Sequence, residues 1–178
     1  PMDAIRFGMT CHWHHDLATT TIKAEVDANK IFTQFFDPEE ALEFREFLRK
    51  SGGIISGRAA LQLLEGKIGV TTNLDLYVGN EHRWSLRDWL RERCYWGVLS
   101  QQQVQASPYG HGFSVVKVIR FERHFEGLTR TIHCMVTEDS PVEAILELKL
   151  TCAMNFFTHE SAYSLFPIAT FDNRKGFL

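Results

Sequence analysis

The sequence predicts an α+β fold, because two marked helix starts and two β-branched runs occur in the same chain. Asp37 begins the motif DPEE, which supplies an N-cap, a proline at the first helical position and an acid at the third. Ser140 begins SPVE, which has the same arrangement. Residues 114–123 and 129–137 are rich in β-branched side chains and are separated by a turn at Gly127, so they predict a hairpin.

The first predicted helix starts after Asp37 and carries one apolar face. Five apolar residues follow at helical spacing: Ala41, Leu42, Phe44, Phe47 and Leu48. The helix is expected to run to about Lys50, where Gly52 stops it. Ile54 then begins a short buried strand.

The middle of the chain predicts two more helices with a strand between them. Gly57 turns the chain into a helix over residues 58–65, and residues 74–78 form the strand. Ser85 is expected to cap the next helix. Further along, residues 148–157 fit a helix and a strand equally well.

Length and composition are typical of one packed domain. The 178 residues are 44% hydrophobic and 12% aromatic, which is enough for one core and short for two. We therefore expect a single domain over residues 1–178, with residues 1–36 as an N-terminal extension of uncertain structure. A net charge of −3 excludes a general attraction to nucleic acid or anionic membranes, so such binding requires a local patch.

The cysteines and the N-terminal sequence indicate the cellular compartment in which the protein is expected. The four cysteines contain no C-x-x-C pair: Cys11, Cys94, Cys134 and Cys152. They are expected to be free thiols in a reducing environment, not a disulfide frame or a zinc ribbon. The N-terminus lacks the pattern of a secretory signal, and no apolar run approaches the roughly 18 residues that span a bilayer. We expect a cytoplasmic or nuclear protein without a membrane partner.

One predicted strand carries a single acid where two-metal enzymes need a pair. Asn73 and Asp75 are two residues apart, so their side chains project from one face of the strand. Two aspartates at this spacing would hold two magnesium ions, but an amide is a poor ligand for a hard cation beside a carboxylate. Magnesium is therefore a possible cofactor whose support in the sequence is weakened by Asn73. Glu81, just after the strand, is a candidate replacement ligand, and these three residues are the candidate catalytic group.

The glycine before the second helix is a candidate phosphate site. Free backbone N–H groups and the positive end of the helix dipole attract phosphate there. The candidate nucleotide-binding residues at this turn and on nearby strands are Ser56, Gly57, Arg58, Tyr77 and His133. For Gly57, the alternative is that it only permits a tight turn. For His133, the alternative is that a neighbouring residue satisfies its hydrogen bonds.

Two further clusters are candidate binding sites. Basic residues on and around the predicted hairpin form a candidate RNA patch: Lys117, Arg120, Arg123 and Arg130. Glu122 dilutes this charge, so a solvated mixed surface is the alternative. The motif CHWHHD contains His12 and His14, which are candidate metal ligands together with Asp75, although the spacing matches no established zinc motif.

Several separated motifs occur in an order that resembles a group of fungal proteins with a nucleotidyltransferase fold of the polymerase-beta-like superfamily. These motifs are ISGRAALQLL, TNLDLYV, SLRDWL, ILELKLTCAMNFF and AYSLFPIATF, and they lie in roughly the last two-thirds of the chain. The resemblance implies a nucleotidyltransferase-like mixed β-sheet flanked by helices. Such proteins usually have Gly-Ser at the turn and Asp-x-Asp on the strand, whereas this chain has Gly57-Arg58 and Asn73-Leu74-Asp75. A third acid is implied on the strand that here contains His133.

The leading hypothesis is a nucleotide- or RNA-binding domain with an eroded two-metal site, in which catalysis is lost or repurposed. One alternative is an active magnesium-dependent nucleotidyltransferase in which Glu81 replaces the missing ligand. A second is a toxin-like enzyme that removes a base from ribosomal RNA, with Asp75 as the acid and Arg58 as the cation. Its candidate base-stacking residues are Tyr77, Trp84, Tyr95 and Trp96. The third alternative is a non-catalytic interaction module.

Overall fold

Helices and a mixed sheet confirm the predicted α+β class. A computed structural model describes residues 27–98, 114–174 and 176. The strands are β1 Ile54–Ser56, β2 Asn73–Gly79, β3 Trp96–Val98, β4 Val115–Phe125, β5 Leu128–Thr137, β6 Asn155–Phe157 and β7 Ala162–Ser164. The α-helices are α1 Asn29–Phe32, α2 Pro38–Ser51, α3 Gly57–Glu65, α4 Arg83–Glu92 and α5 Pro141–Leu146. Short 3-10 turns at Asn80–His82 and Thr151–Ala153 and a π-helical turn at Ile168–Asp172 complete the described elements.

The strands form one sheet in the order β3-β4-β5-β2-β1-β6-β7. Strands β2 and β5 run parallel, and the other neighbouring pairs are antiparallel. Strand β2 therefore lies near the middle of the sheet, with β1 on one side and β5 on the other.

The two faces of this sheet differ in how they are covered. Side chains alternate along β2, so Leu74, Leu76 and Val78 project from one face and Asp75 and Tyr77 from the other. We call the first the packed face, because residues of α1 to α4 bury it in the main hydrophobic core. We call the second the α5 face, because α5 covers the part of it that includes Tyr77.

Helix starts and stops follow the capping signals in two cases. The backbone N–H of Asp37 donates to Glu40 Oε2 at 3.1 Å, which is half of a capping box. Gly52 ends α2 with a φ of 62°, the left-handed conformation that glycine adopts without penalty. Ser140 Oγ accepts from the Val142 N–H at 3.3 Å and caps α5. Both helices are confirmed, but Leu42 does not belong to the inner face, since it is 61% exposed.

The prediction that Ser85 caps α4 is wrong. The 3-10 turn at Asn80–His82 runs directly into the helix, which starts at Arg83. Ser85 therefore lies inside the first turn, where its hydroxyl donates to the His82 carbonyl at 2.9 Å.

The predicted hairpin is confirmed. Strands β4 and β5 pair in register, and Glu126 and Gly127 both adopt positive φ, 49° and 76°. Two central residues with positive φ make the turn whose twist matches that of the strands. The ambiguous stretch 148–157 contains a 3-10 turn followed by β6.

The predicted N-terminal extension is wrong in its boundary. Ile31, Phe32, Phe35 and Phe36 are 0% exposed and belong to the main core, so core structure starts at α1. Residues 1–26 lie outside the described residues. Within the part of the chain that the structure describes, no helix has the length and apolarity required to cross a membrane.

Candidate functional site

Gly57 and Asp75 meet at the start of α3. The antiparallel register of β1 and β2 pairs Ser56 with Asp75, and Gly57 follows with a φ of 68°. A Cβ built on Gly57 would lie 2.1 Å from Asp75 Oδ2, so no side chain fits between them. The carboxylate of Asp75 therefore lies against the first residue of the helix, where the positive end of the helix dipole favours an anion.

His133 is the hydrogen-bond partner of Asp75. The parallel register of β2 and β5 places the two residues side by side, and His133 Nδ1 lies 3.1 Å from Asp75 Oδ1. Their side chains are 35% and 29% exposed, so both can be reached by solvent. The described residues provide no hydrogen-bond partner for His133 Nε2, and the ring is partly exposed. This histidine occupies the strand on which the resemblance implies a third acid.

Arg120 extends the pair into a row of three on the α5 face. It is in register with His133 on β4, so Arg120, His133 and Asp75 lie on adjacent strands and project from the same face. We call these three residues the polar row. Neighbouring strands are about 4.8 Å apart, which puts the Cα atoms of Arg120 and Asp75 roughly 10 Å apart. Arg120 also pairs with Glu122 on its own strand.

Arg58 follows Gly57 in the chain, and Asn73 lies on the same strand as Asp75. Arg58 is the second residue of α3 and is exposed, and none of the described carboxylates forms an ion pair with it. Asn73 is exposed, two residues before Asp75 on the same face of β2. Both side chains are exposed within the described part of the chain.

Three residues predicted for the site have other roles. Ser56 is 1% exposed, and its hydroxyl donates to the Asn155 carbonyl at 2.7 Å, so it holds β6 and does not face a phosphate. Tyr77 is 3% exposed and packs in the second core under α5, so it cannot stack on a nucleotide. Glu81 follows the far end of β2, where Gly79 lies four residues beyond Asp75, or about 13 Å along the strand.

The predicted basic patch is not one surface. Arg123 pairs in register with Arg130, on the face opposite Arg120, because side chains alternate along β4. Arg130 is 4% exposed and donates to the Thr71 carbonyl at 2.5 Å. Arg123 Nη1 lies 2.8 Å from a carboxylate oxygen of Glu40 on α2. Lys117 is exposed and in register with Val136 of the packed face, so Arg120 is the one member of the predicted patch in the polar row.

The aromatic residues predicted to hold a base are dispersed. Trp96 is 72% exposed and pairs in register with Glu122, which places it on the α5 face. Trp84 lies on α4 beneath the guanidinium groups of two arginines. Tyr95 is fully buried, and its hydroxyl donates to the Phe35 carbonyl at 2.9 Å. With Tyr77 also buried, no aromatic cage forms around Asp75 from these four side chains.

The donor set does not fit the pair of magnesium ions that the resemblance implies. Asp75 is one carboxylate, Asn73 is neutral, and His133 offers a nitrogen, whereas magnesium is held chiefly by oxygen ligands. Over residues 27–98 and 114–174, histidine, cysteine and acidic side chains form no group of three or more that could hold a metal ion. His12 and His14 lie outside the described residues.

Sequence reasoning missed the role of Arg120 and the position of Trp96 on the same face. Arg120 was predicted to belong to a surface patch. The pairing of β4 with β5 was predicted, but the pairing of β5 with β2, which brings Arg120 into line with Asp75, was not. No protein-family model matches this sequence, and no curated protein matches it.

Proposed function

We propose that this domain binds the phosphate groups of a nucleotide or of RNA beside the start of α3, without two-metal catalysis. The observation that carries the proposal is the junction of Gly57, Asp75 and His133, with Arg120 in register beside His133 and Arg58 next to Gly57 in the chain. A phosphate beside this junction would be attracted by the guanidinium groups of Arg58 and Arg120 and by the positive end of the α3 dipole. The proposal includes a nucleotidyltransferase-like architecture and a cytoplasmic or nuclear location, where RNA and nucleotides are available.

The negative charge of Asp75 is the main obstacle to phosphate binding, and its hydrogen bond with His133 reduces this obstacle. A lone carboxylate beside the helix would repel a phosphate. The hydrogen bond between His133 Nδ1 and Asp75 Oδ1 engages one carboxylate oxygen, which leaves less of that charge exposed to a ligand. The pair therefore supports phosphate binding that does not require a metal ion.

The alternative enzymes have less support. An active magnesium-dependent nucleotidyltransferase needs a second acid, but Glu81 lies beyond the far end of β2. Removal of a base needs aromatic side chains around the base, but Tyr77 and Tyr95 are buried and Trp84 lies on α4. Loss or conversion of catalysis therefore accounts better for the residues beside Asp75.

The test is binding of fluorescein-labelled single-stranded RNA, measured by anisotropy in chelator and in magnesium. We expect binding in chelator, and we expect Arg58→Gln to weaken it about two- to fivefold, the range of an exposed charge pair. The slope of log K against log salt is negative, and its magnitude should decrease by about 0.7 for each phosphate of a single strand that the variant no longer neutralises.

Arg91→Gln is the matched control, because Arg91 is also an exposed helical arginine but lies on α4. Equal effects of the two substitutions would indicate non-specific attraction and would contradict the proposed site. No binding of RNA or of a competing nucleoside triphosphate under either condition would favour the interaction module.

A further inference from the structure

A cavity open to solvent lies at the end of α3 that is distant from Gly57. Its volume is about 420 Å³, and its lining includes Glu65 and Lys67 after α3 and Cys152, Thr170 and Arg174 from the C-terminal part of the chain. It shares no lining residue with the polar row. A ligand bound there would therefore be independent of the proposed phosphate site.

A buried hydroxyl in this cavity lacks a partner. Thr170 is 9% exposed, and its Oγ1 makes no hydrogen bond with the described residues. A buried polar atom without a partner is uncommon in folded proteins, because it has lost water without replacement. A polar ligand in the cavity would supply the missing hydrogen bond.

The same cavity contains a partly exposed thiol. Cys152 is a free cysteine in the 3-10 turn Thr151–Ala153, and its carbonyl accepts from Asn155 Nδ2 at 2.7 Å, which fixes the turn. A Cβ built on Gly176 would lie 2.8 Å from Cys152 Sγ, so Gly176 packs closely against one side of the sulfur and no side chain fits there. The thiol is therefore held at a defined place in the cavity wall.

The charges around the cavity favour an acidic ligand. Lys67 and Arg174 contribute two positive charges and Glu65 one negative charge, which leaves a net positive lining. The cations would attract carboxylates, and the hydroxyl of Thr170 can donate to a carboxylate or an amide carbonyl. A small molecule with carboxylates and a sulfur atom would satisfy each of these groups at once.

We propose that Cys152 forms a mixed disulfide with an acidic low-molecular-weight thiol of the glutathione type. The thiolate of Cys152 attacks one sulfur of the reagent's disulfide, and the bond between the two reagent sulfurs breaks. One half of the reagent remains bonded to Cys152, and the other half leaves as a thiolate and takes up the proton that Cys152 released. Excess free thiol reverses the exchange, so the modification responds to the redox state of the compartment.

The test compares a charged and a neutral disulfide on the full chain. Oxidised glutathione or bis(2-hydroxyethyl) disulfide is added, and modification of each cysteine is followed by peptide mass mapping. We expect Cys152 to favour oxidised glutathione, and we expect Lys67→Gln and Arg174→Gln each to reduce that preference about two- to fivefold. Thr170→Val should slow the reaction of Cys152 with oxidised glutathione while leaving its reaction with the neutral reagent unchanged.

Two other cysteines serve as internal controls. Cys94 is exposed and should react at the same rate in the wild type and in the variants. Cys134 is buried and should react only on unfolding, so its modification reports a variant that has lost its structure. The proposal is overturned if Cys152 shows no preference for the charged reagent, or if the preference survives the loss of both cations in a protein whose Cys134 is still protected.

Discussion

The two faces of β2 belong to the same strand but respond to different constraints. On the packed face, Leu74, Leu76 and Val78 are 0% exposed beneath four helices. On the α5 face, the short helix α5 covers Tyr77 and leaves Asp75 partly exposed beside His133. The polar side chains therefore lie where the covering helix ends, and burial of the packed face holds in place the strand that carries Asp75.

The largest expected effect tests this difference at two adjacent residues. Leu76→Ala removes buried methyl groups from the packed face and should lower the free energy of unfolding by about 2–5 kcal/mol. Asp75→Asn, one residue away on the α5 face, should change it by less than about 1 kcal/mol, because it is partly exposed and keeps a hydrogen-bonding group. Urea denaturation measures both values. Similar losses would show that the polar row has a structural role equal to that of the core.

A second substitution breaks the contact between Gly57 and Asp75. Gly57→Ala should destabilise the fold by about 2–4 kcal/mol, because the new Cβ overlaps Asp75 Oδ2 and the positive φ is unfavourable for alanine. Gly52→Ala is the control, since Gly52 also has positive φ but has no atom within 4 Å of an added Cβ. It should show the backbone penalty of the left-handed conformation alone, about 1–2 kcal/mol.

The double variant Gly57→Ala with Asp75→Ala separates overlap from backbone strain. Removal of the carboxylate should recover part of the stability that Gly57→Ala loses. If denaturation midpoints show no recovery, the close approach of Gly57 and Asp75 is not the source of the loss.

The third prediction concerns pH and a thiol on the packed face. Burial raises the pKa of Cys134 from its ordinary value of 9.0 to about 12. Above pH 9 the unfolded chain releases this proton while the folded chain retains it, so stability falls as the pH rises from 9 through 12. Cys134→Ala should weaken that fall by up to about 1.4 kcal/mol per pH unit, measured by urea denaturation between about pH 8 and pH 11.

Cys94→Ala is the matched control for the pH series, because Cys94 is exposed. It should keep the pH dependence of the wild type. Burial also raises the pKa of the Tyr95 hydroxyl, so both variants should still lose stability at the most alkaline values. An unchanged pH dependence in Cys134→Ala would mean that this thiol is exposed or ionised in the folded protein.

Local signals predicted most of the helices and the hairpin, because caps and turns depend on a few adjacent residues. The spacing of Ile31, Phe32, Phe35 and Phe36 is also helical, so the core role of this segment had a signal that was not used. The site itself depends on the parallel pairing of β2 with β5, which joins Asp75 and His133 across 58 positions of sequence. No local pattern encodes that pairing.

The same limit explains the residues that were misplaced. Arg123 and Arg130 are basic in sequence, yet one pairs with Glu40 and the other is buried against the Thr71 carbonyl. Ser56 and Tyr77 lie close to Gly57 and Asp75 in sequence but are held by Asn155 and by the second core. Their partners come from distant segments, so charge and polarity alone did not show which side chains reach solvent.

The smallest expected effect distinguishes metal-free binding from metal-dependent binding at the α5 face. With His133 in the same protonation state, Asp75→Asn raises the local charge by one unit, so binding of single-stranded RNA in chelator should become about two- to fivefold tighter. Asp88→Asn is the control, because Asp88 is an exposed acid on α4, and it should have a smaller effect. Anisotropy titrations with and without magnesium measure the change. Because a metal bridge would need the carboxylate, loss of magnesium-dependent binding in Asp75→Asn would contradict the metal-free proposal and restore the nucleotidyltransferase alternative.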